Sequence, residues 1–558
     1  TAMLIGVAWT FGVARLAVGH LNMATGFMFT IVAGNGINAG IIYMARYLEE
    51  RRNGASLRDA VYVAHVETWL ATLTAASAAA ASYASLLLTE FRGFRDFGLI
   101  GCVGMLLCWV ATYFALPSVL ALMERVFPIE REHGVFARLR RGWGSAFGRP
   151  VAALVQRAPR LFATAGVAFA LFGVVAAVGY VRRGPMEYDL NNLRNERKSR
   201  AEEERYKHLA DAITGYVGAD GMAILVDRPE QVRPLRAALY AVRDAAPADE
   251  KPFKALVALE DFVPDHQAEK IPTLLHLKEQ LLRARRHGLI ADADWKRLAD
   301  IIPPDDLKPF TMADLPVGVA RTFTEADGTR GRIVYISPTS GDLVEDAHYL
   351  LRWADAYRST TLPDGSVVLG SGRAVIYADM WAAVIESVPH AVVFSLLATA
   401  LAVVLAFRAG RASLLVVGSL LVGVAWLAAL MVLFQIRINF LNFIALPITF
   451  GIGVDYAVNI VHRFERERAR HPDDARGDAA GAILAVRETG GAVVLCSLTT
   501  TLGYLALVRS MNFAVRSLGV AAVLGEVCCL LAAVLVLPAV LVWRGRRRAA
   551  LASAPSSA

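Results

Sequence analysis

Apolar residues are grouped along this chain in blocks of about 20, separated by polar segments. A helix of that length crosses the ~30 Å hydrocarbon core of a bilayer. The pattern predicts ten membrane spans, at about 1–17, 23–45, 67–88, 97–123, 160–181, 388–407, 413–434, 440–461, 488–508 and 516–543. We therefore expect a polytopic membrane protein. Because Thr1 already lies within an apolar block, the chain is expected to be part of a longer protein.

Arginine residues are concentrated in alternate connecting segments. These segments share one side of the membrane if the spans alternate, and they lie at 46–58, 124–159, 408–411, 463–476 and 544–548. Because basic loops mark the cytoplasmic side, the long polar segment at 182–387 is expected outside the inner membrane, in the periplasm of a Gram-negative cell. The same loops account for the net charge of +8, so no nucleic-acid partner is expected.

These assignments divide the chain into six segments. They are a first transmembrane repeat at 1–123, a cytoplasmic amphipathic linker at 124–159, a span at 160–181, a periplasmic α/β domain at 182–387, a second transmembrane repeat at 388–543 and a basic cytoplasmic tail at 544–558. The linker places Phe136, Leu139 and Trp143 among arginines. This pattern is typical of a helix lying on the inner leaflet, although a plain linker is equally compatible with it.

The pattern within 182–387 predicts a domain in which strands and helices alternate. In chain order we predict strand 221–227, helix 229–245, strand 253–259, strand 330–337, helix 342–358 and strand 366–371. Each helix lies between two strands, so two β-α-β units are indicated. The charged segment at 267–300 is expected to form an inserted helical hairpin.

Two parts of the chain are related by an internal repeat. At an offset of 417 residues Trp9 matches Trp426, Gly34 matches Gly451, Gly36 matches Gly453 and Arg46 matches Arg463; beyond the next loop the offset is 421, and Tyr83 matches Tyr504 and Pro117 matches Pro538. Uncommon residue types in the same order at one offset indicate a duplication. The second copy follows a span, an outside domain and another span. The intact protein is therefore expected to have twelve spans in two parallel repeats.

An acidic residue lies in the middle of a predicted span, in the segment GIGVDYAVN. Burial in a membrane disfavours an ionised carboxylate, so Asp455 is a candidate for binding and releasing a proton. Asn459 lies one helical turn away on the same face. Gly451 and Gly453 allow another helix to approach closely. The alternative is a permanently neutral or hydrogen-bonded aspartate that only holds helices together.

The last two spans offer further candidates for a proton relay. Ser497, Thr499 and Thr500 carry hydroxyl groups that could bond Asp455 or line a water wire, and Thr500 is the preferred partner. The alternative is ordinary hydrogen bonding between helices. Glu526 lies inside the final span and is a secondary relay candidate.

The first repeat lacks these groups. Asn38, which cannot titrate, takes the place of Asp455, and Met105 takes the place of Glu526. The counterparts of the hydroxyl cluster, at 77–80, are mostly alanine. A single relay, confined to the second repeat, is therefore predicted.

The remaining polar residues have simpler interpretations. Glu67 and Glu488 begin equivalent predicted spans, where acidic side chains stabilise helix N-termini. All five cysteines lie in apolar blocks and are expected to be buried and free, not disulfide-bonded or metal-binding. No nucleotide-binding motif or catalytic constellation is found, so neither an enzyme activity nor a cofactor is expected.

The segment GIGVDYAVNIVHRF, at 451–464, resembles the Asp-Tyr motif of lipid transporters in the resistance-nodulation-division (RND) superfamily, in the branch with the mycobacterial-type exporter domain. Asp455 and Tyr456 occupy the matching places. The segment GNGINAGIIYMARYLEERR, at 34–52, is most similar to hopanoid-biosynthesis-associated RND transporters of Gram-negative bacteria. The arrangement of one span, a large outside domain and five spans is also similar to that superfamily.

The resemblance implies proton-driven export of a hopanoid-type lipid from the inner membrane towards the outer membrane. It also implies a homodimer and a proton-carrying role for Asp455. The chain departs from the branch's double Asp-Tyr pattern, because Asn38 and Ala39 stand at the matching places in the first repeat. A mechanism that needs two symmetric carboxyl groups is therefore not expected.

Other functions of the same fold remain as alternatives. A non-transporting sterol- or lipid-sensing protein would keep the repeat without proton flux. An accessory to protein export, as in the SecD/SecF branch, fits 34–52 and 451–468 less well, and a drug efflux pump would carry charged relay residues in the first repeat too. A functional requirement for a titratable Asp455 would distinguish a transporter from a sensor.

Overall fold

The computed structural model describes residues 1–126, 147–194, 201–202, 205–206, 209, 222–299, 301–339, 345–470 and 477–552. The chain forms two compact units, residues 1–197 with 382–558 and residues 198–381. The linker residues Phe136, Leu139 and Trp143 lie outside the described residues.

The first repeat and the segment after it are helical. Their helices are α1 (Ala2–Ala17), α2 (Met23–Gly26), α3 (Met28–Gly36), α4 (Asn38–Arg52), α5 (Leu57–Ala84), α6 (Arg92–Val126), α7 (Gly148–Arg157) and α8 (Pro159–Arg182). Side-chain caps start two of them. Asn22 and Thr25 form a reciprocal capping box at α2, and the Ser56 hydroxyl accepts a bond from the Asp59 backbone at α5.

The second unit combines five strands with five helices among its described residues. In chain order they are β1 (Ala223–Leu225), α9 (Val232–Ala245), β2 (Ala255–Ala258), α10 (Gln267–Arg286), α11 (Asp292–Ala299), α12 (Val317–Ala320), β3 (Ile333–Ser337), α13 (Ala347–Tyr357), β4 (Ser359–Thr361) and β5 (Val367–Ser371). The predicted helical insertion is formed by α10 and α11. Strand β4, which pairs with β5 in a short hairpin, was not predicted.

The sheet has the order β2-β3-β1-β5-β4, and every neighbouring pair is antiparallel. Strands β1 and β2, joined by α9, therefore run parallel with β3 between them, and β3 and β5 run parallel with β1 between them. In both predicted β-α-β units, therefore, the two parallel strands are separated by a strand that belongs to the other unit. The sequence pattern predicted the order of the elements but not this interleaving, because alternation carries no information on which strands are neighbours.

The second repeat is again helical. It comprises α14 (Arg373–Ala406), α15 (Arg411–Leu433), α16 (Ala445–Arg470), α17 (Gly477–Val508), α18 (Phe513–Leu531), a π-helical segment (Ala532–Val536) and α19 (Leu537–Ala552). Among the described residues, nine helical stretches are long and apolar enough to cross a membrane. The remaining predicted span, at about 1–17, corresponds to α1, which has 16 residues and is shorter than the other nine.

Two of the predicted helix starts were wrong. Helices α5 and α17 begin at Leu57 and Gly477, well before the apolar blocks, so Glu67 and Glu488 lie inside helices and cap nothing. Glu67 instead forms ion pairs with Arg46 and Arg466. Helices extend beyond their apolar stretch here because paired charges stabilise the polar turns.

The internal repeat is reproduced in the packing of small residues. A Cβ atom added to Gly36 would lie 2.6 Å from the Cys108 sulfur, and one added to Gly453 would lie 2.5 Å from the Cys529 sulfur. The glycines are related by the offset of 417 and the cysteines by the offset of 421. Equivalent helices therefore approach each other at equivalent points in both halves.

The two repeats pack crosswise. Helix α16 of the second repeat lies against α5 of the first, and α17 lies against α3 and α4. Between them the Asn35 amide nitrogen lies 3.3 Å from the hydroxyls of both Tyr83 and Tyr504, which are themselves repeat equivalents. The repeats thus meet around a pseudo-twofold relation.

The crosswise packing predicts different responses at two equivalent glycines. In Gly451→Ala the new Cβ would lie 2.7 Å from the Ala79 Cα, whereas in Gly34→Ala the nearest atom is the Thr500 Cα at 3.5 Å. We expect Gly451→Ala to lower the free energy of unfolding by about 1–3 kcal/mol. Gly34→Ala should be neutral or stabilising by up to about 1 kcal/mol, since alanine favours helix.

Thermal unfolding of both purified variants in the same detergent measures this difference. Equal stability of the two variants would contradict the close contact between α16 and α5.

Candidate functional site

Asp455 lies in the middle of α16, and only 8% of its surface is exposed. One carboxylate oxygen accepts a hydrogen bond of 3.0 Å from the Asn38 amide, and the other accepts one of 2.6 Å from the Asn459 amide. Asn459 is one turn further along α16, as its spacing predicted. The two donors orient the carboxyl group and compensate part of its lost hydration.

The bond between Asn38 and Asp455 joins the two repeats. These residues are 417 apart, which is the repeat offset itself. Residues that are equivalent in two copies meet only where the copies face each other across their pseudo-twofold relation. The offset had identified Asn38 as the counterpart of Asp455, but only the packing of α4 on α16 makes them partners.

Among the described residues, no ion pair reaches this carboxylate. In the described part of the chain, the side-chain partners of Asp455 are two neutral amides, and the ion pairs of α16 involve Arg463, Arg466, Arg468 and Arg470, beyond its apolar part. A buried carboxylate without a cation is costly. Proton uptake would remove that cost, so the geometry suits a group whose protonation state changes.

A small cavity of about 20 Å³ lies beside Asp455, between α16 and the first repeat. Asn35 and Asn38 line it, and the side-chain oxygen of each is buried without a hydrogen-bond partner. The volume accommodates about one water molecule. Polar oxygens that lack partners favour such a water, which would give Asp455 a proton-exchanging neighbour.

A second cavity, of about 50 Å³, begins at Asn459 and continues towards the arginine-rich ends of α4 and α16. It is lined by Asn459, His462, Glu67 and Glu488 among others, and is large enough for a few water molecules. Asn459 contacts both this cavity and the Asp455 carboxyl group. The two cavities therefore lie on either side of the Asp455–Asn459 pair.

The hydroxyl cluster of α17 does not reach Asp455 as predicted. The Thr500 hydroxyl donates to the Gly34 carbonyl at 3.0 Å, and the Thr499 hydroxyl bonds to the Leu495 and Cys496 carbonyls of its own helix. Ser497 is buried. The prediction that Thr500 is the partner of Asp455 was wrong, because the packing of the repeats brings Asn38 of α4 to the carboxyl group and the Thr500 hydroxyl to the Gly34 carbonyl. Hydrogen bonding between helices is the observed role of Thr500.

The glycines of the motif act as expected. Gly451 faces the backbone of α5 at Ala79, and Gly453 faces Cys529. Their absent side chains bring both neighbouring helices close to α16. Asp455 is consequently enclosed on both sides.

Tyr456 points away from Asp455 towards α18, where its hydroxyl bonds to the Glu526 carboxyl group. Tyr456 and Glu526 are both almost fully buried. The resemblance had placed Tyr456 in a motif with Asp455, but no sequence pattern paired it with Glu526. The internal repeat does contain a signal for this pair. The first-half counterparts of Tyr456 and Glu526 are Ala39 and Met105, so both polar groups are absent there together.

The family model described as the MMPL family matches residues 2–162 and 247–556 of this chain. The hopanoid transporter HpnN of Burkholderia multivorans is 24% identical over 513 residues, which cover 82% of this chain and 55% of that protein. A membrane protein of Methanocaldococcus jannaschii is 25% identical over 248 residues, 44% of this chain and 59% of that protein. The chain thus spans less than two thirds of either relative. These matches confirm the resemblance drawn from the motif at 451–464.

Among solved structures, SecDF, a translocon-associated membrane protein from Thermus thermophilus, matches with a TM-score of 0.53 at 13% identity. The match covers 98% of this chain and 59% of that one. At this identity the likeness concerns the fold alone. It confirms the predicted fold class, an α-helical polytopic membrane protein.

The contact between the repeats predicts a non-additive response to mutation. Asn38→Leu removes one donor from the buried Asp455 carboxylate and should lower the free energy of unfolding by about 1.5–3 kcal/mol. Adding Asp455→Leu removes the carboxylate itself and should restore much of this loss. A double-mutant cycle by denaturation in detergent measures the coupling, and additive losses would contradict the contact.

Proposed function

The chain belongs to the MMPL family, and we propose that it is a proton-driven transporter that exports a lipid from the membrane in which it is embedded. Membership of this family and the hopanoid-transporter relative point to transport instead of enzyme catalysis. The observation that carries the proposal is Asp455, a buried carboxyl group that two neutral amides contact in the described part of the chain, one of them from the other repeat. Such a group responds to a proton and affects both halves at once.

For the substrate we propose a hopanoid-type lipid, moved from the inner membrane towards the outer membrane. The support is the relative named a hopanoid transporter, which aligns with 82% of this chain. The direction follows from the proposed orientation. The arginine-rich loops face the cytoplasm, and the unit at 198–381 faces the periplasm. The homodimer implied by the RND resemblance belongs to the same proposal.

The proton would pass from the periplasm to Asp455 and then to the cytoplasm. The cavity beside Asn35 and Asn38 supplies a water position at the carboxyl group, and the larger cavity beyond Asn459 leads towards the arginine-rich side. The membrane potential contributes about 2.3 kcal/mol per charge for every 100 mV. Inward movement of protons through this region would thus be energetically downhill.

Protonation would change the contact between the repeats. Charged Asp455 accepts a charge-assisted bond from Asn38, which is worth about 1.5–3 kcal/mol more than no bond. Weakening it shifts an equilibrium between two arrangements of the repeats by roughly 10- to 150-fold. Since α4 and α16 belong to different repeats, the shift would be expressed as relative movement of the two halves.

Removing the titratable group tests the proposal directly. Asp455→Asn keeps size and hydrogen bonding but cannot exchange a proton, so we expect lipid transfer between the membranes to fall at least tenfold in cells that express the full-length variant. Thr74→Val is a matched control, because the Thr74 hydroxyl is buried in the membrane unit and, among the described residues, bonds to the Leu70 carbonyl of its own helix.

Transfer at the wild-type rate by Asp455→Asn would overturn proton coupling through this residue and favour a lipid-sensing role. Comparing a hopanoid with a phospholipid in the same cells tests the substrate class. Equal dependence of both lipids on the protein would contradict hopanoid selectivity.

A further inference from the structure

A second buried carboxyl group takes no part in the cycle described above. Glu526 lies in α18, and only 3% of its surface is exposed. Its side-chain contact is the Tyr456 hydroxyl, and in the described part of the chain no ion pair reaches it. Burying a carboxyl group with so little compensation is costly in a membrane unless the group is neutral or has a function.

Glu526 and Asp455 are connected through α16. Tyr456, the residue directly after Asp455, contacts Glu526 with its hydroxyl, and both carboxyl groups are buried. Two nearby buried carboxylates are not ionised together at low cost, so the charge on one affects the protonation of the other.

The hydrogen bonds distinguish the two carboxyl groups. Asp455 accepts bonds from two amides, which is the environment of a carboxylate, whereas the Tyr456 hydroxyl can either donate to Glu526 or accept from it. In this arrangement Asp455 suits the charged form and Glu526 the neutral form. A proton arriving at Asp455 removes the charge that keeps Glu526 neutral.

The comparison of the repeats shows that these polar groups occur as a set. Asp455, Tyr456 and Glu526 all lie in the second half, and the equivalent positions hold Asn38, Ala39 and Met105. A glutamate needed only for packing would not require a tyrosine partner, since Met105 fills the equivalent place in the same fold. The helix is altered here as well, because the π-helical segment 532–536 follows Glu526, whereas α6 is α-helical at the equivalent residues. Such segments are frequent at functional sites.

Other titratable groups on the surrounding helices are few. At a comparable depth α16 contributes Asp455 and Tyr456, α17 contributes Cys496, and α18 itself contributes Cys528 and Cys529; α15, the third helix packed on α18, contributes none beyond Arg411 at its end. The cysteines are neutral thiols in this environment. Asp455 is therefore the charge that Glu526 senses.

We propose that Glu526 is a second proton-binding residue of the transport cycle, coupled to Asp455 and positioned by Tyr456, so that uptake of a proton by Asp455 allows Glu526 to release its own. This inference rests on the proposed proton-driven function. It assigns Glu526 a role in coupling that the first repeat does not share. It also predicts that more than one carboxyl group in the membrane unit changes its protonation state.

Infrared difference spectroscopy of the purified full chain in lipid nanodiscs tests the assignment without transport. Acidification of the wild type, from a pH at which both groups are ionised, should produce two protonated-carboxyl bands from the membrane interior, that of Glu526 at a higher pH than that of Asp455. Glu526→Gln should lose one band and Asp455→Asn the other. Tyr456→Phe should keep the Glu526 band but displace it, because a hydroxyl partner is removed. A Glu526→Gln spectrum identical to that of the wild type would overturn the proposal.

Lipid transfer in cells then separates the two proposals. Glu526→Gln, which preserves size and hydrogen bonding, should reduce transfer at least tenfold and change its dependence on external pH. Glu526→Met reproduces the residue of the first repeat and shows by thermal unfolding whether the fold tolerates loss of the carboxyl group. Wild-type transfer by Glu526→Gln together with inactivity of Asp455→Asn would refute the role of Glu526 and leave the proposed function intact. Wild-type transfer by Asp455→Asn would refute the proposed function itself.

Discussion

A carboxyl group buried in the middle of a membrane bundle has no bulk water to stabilise its charge, and the arrangement around Asp455 follows from this constraint. Two amide groups donate to it, one from its own helix and one from Asn38 in the other repeat. Glycines on both sides of the motif bring the neighbouring helices close enough to enclose it. Because one donor comes from each repeat, a change in the charge of Asp455 also changes the contact between the halves.

The duplication explains how the protein can be nearly symmetric in packing and asymmetric in chemistry. Small residues are retained in both copies, so Gly36 meets Cys108 as Gly453 meets Cys529. The polar groups of Asp455, Tyr456 and Glu526 are not retained, because Asn38, Ala39 and Met105 hold the equivalent places. In the first half the helix is interrupted by a turn at Ile37, directly before Asn38, whereas α16 runs without a break through Asp455. The titratable group therefore lies in one half, while its partner Asn38 lies in the other.

Ion pairs and a titratable contact both join the repeats. At the arginine-rich end, Arg463 pairs with Glu49 at 3.2 Å and Arg466 pairs with Glu67, both across the repeats. In the middle of the membrane, by contrast, a neutral amide, that of Asn38, contacts the carboxyl group of Asp455. Uptake of a proton by Asp455 changes this central contact directly.

The amino-acid sequence alone determined the membrane class, the repeat, the order of strands and helices in 182–387, and Asp455 as the main candidate residue. Apolar block length, a fixed offset and the cost of a buried charge can all be read along the chain. It could not determine which residues contact Asp455. Thr500 was preferred over Asn38, and Tyr456 was not paired with Glu526, because both contacts lie between helices distant in the sequence. The interleaving of the two β-α-β units was hidden for the same reason. Periodicity records which face of an element is buried, whereas partners across the repeat and across the sheet are decided only when the elements pack.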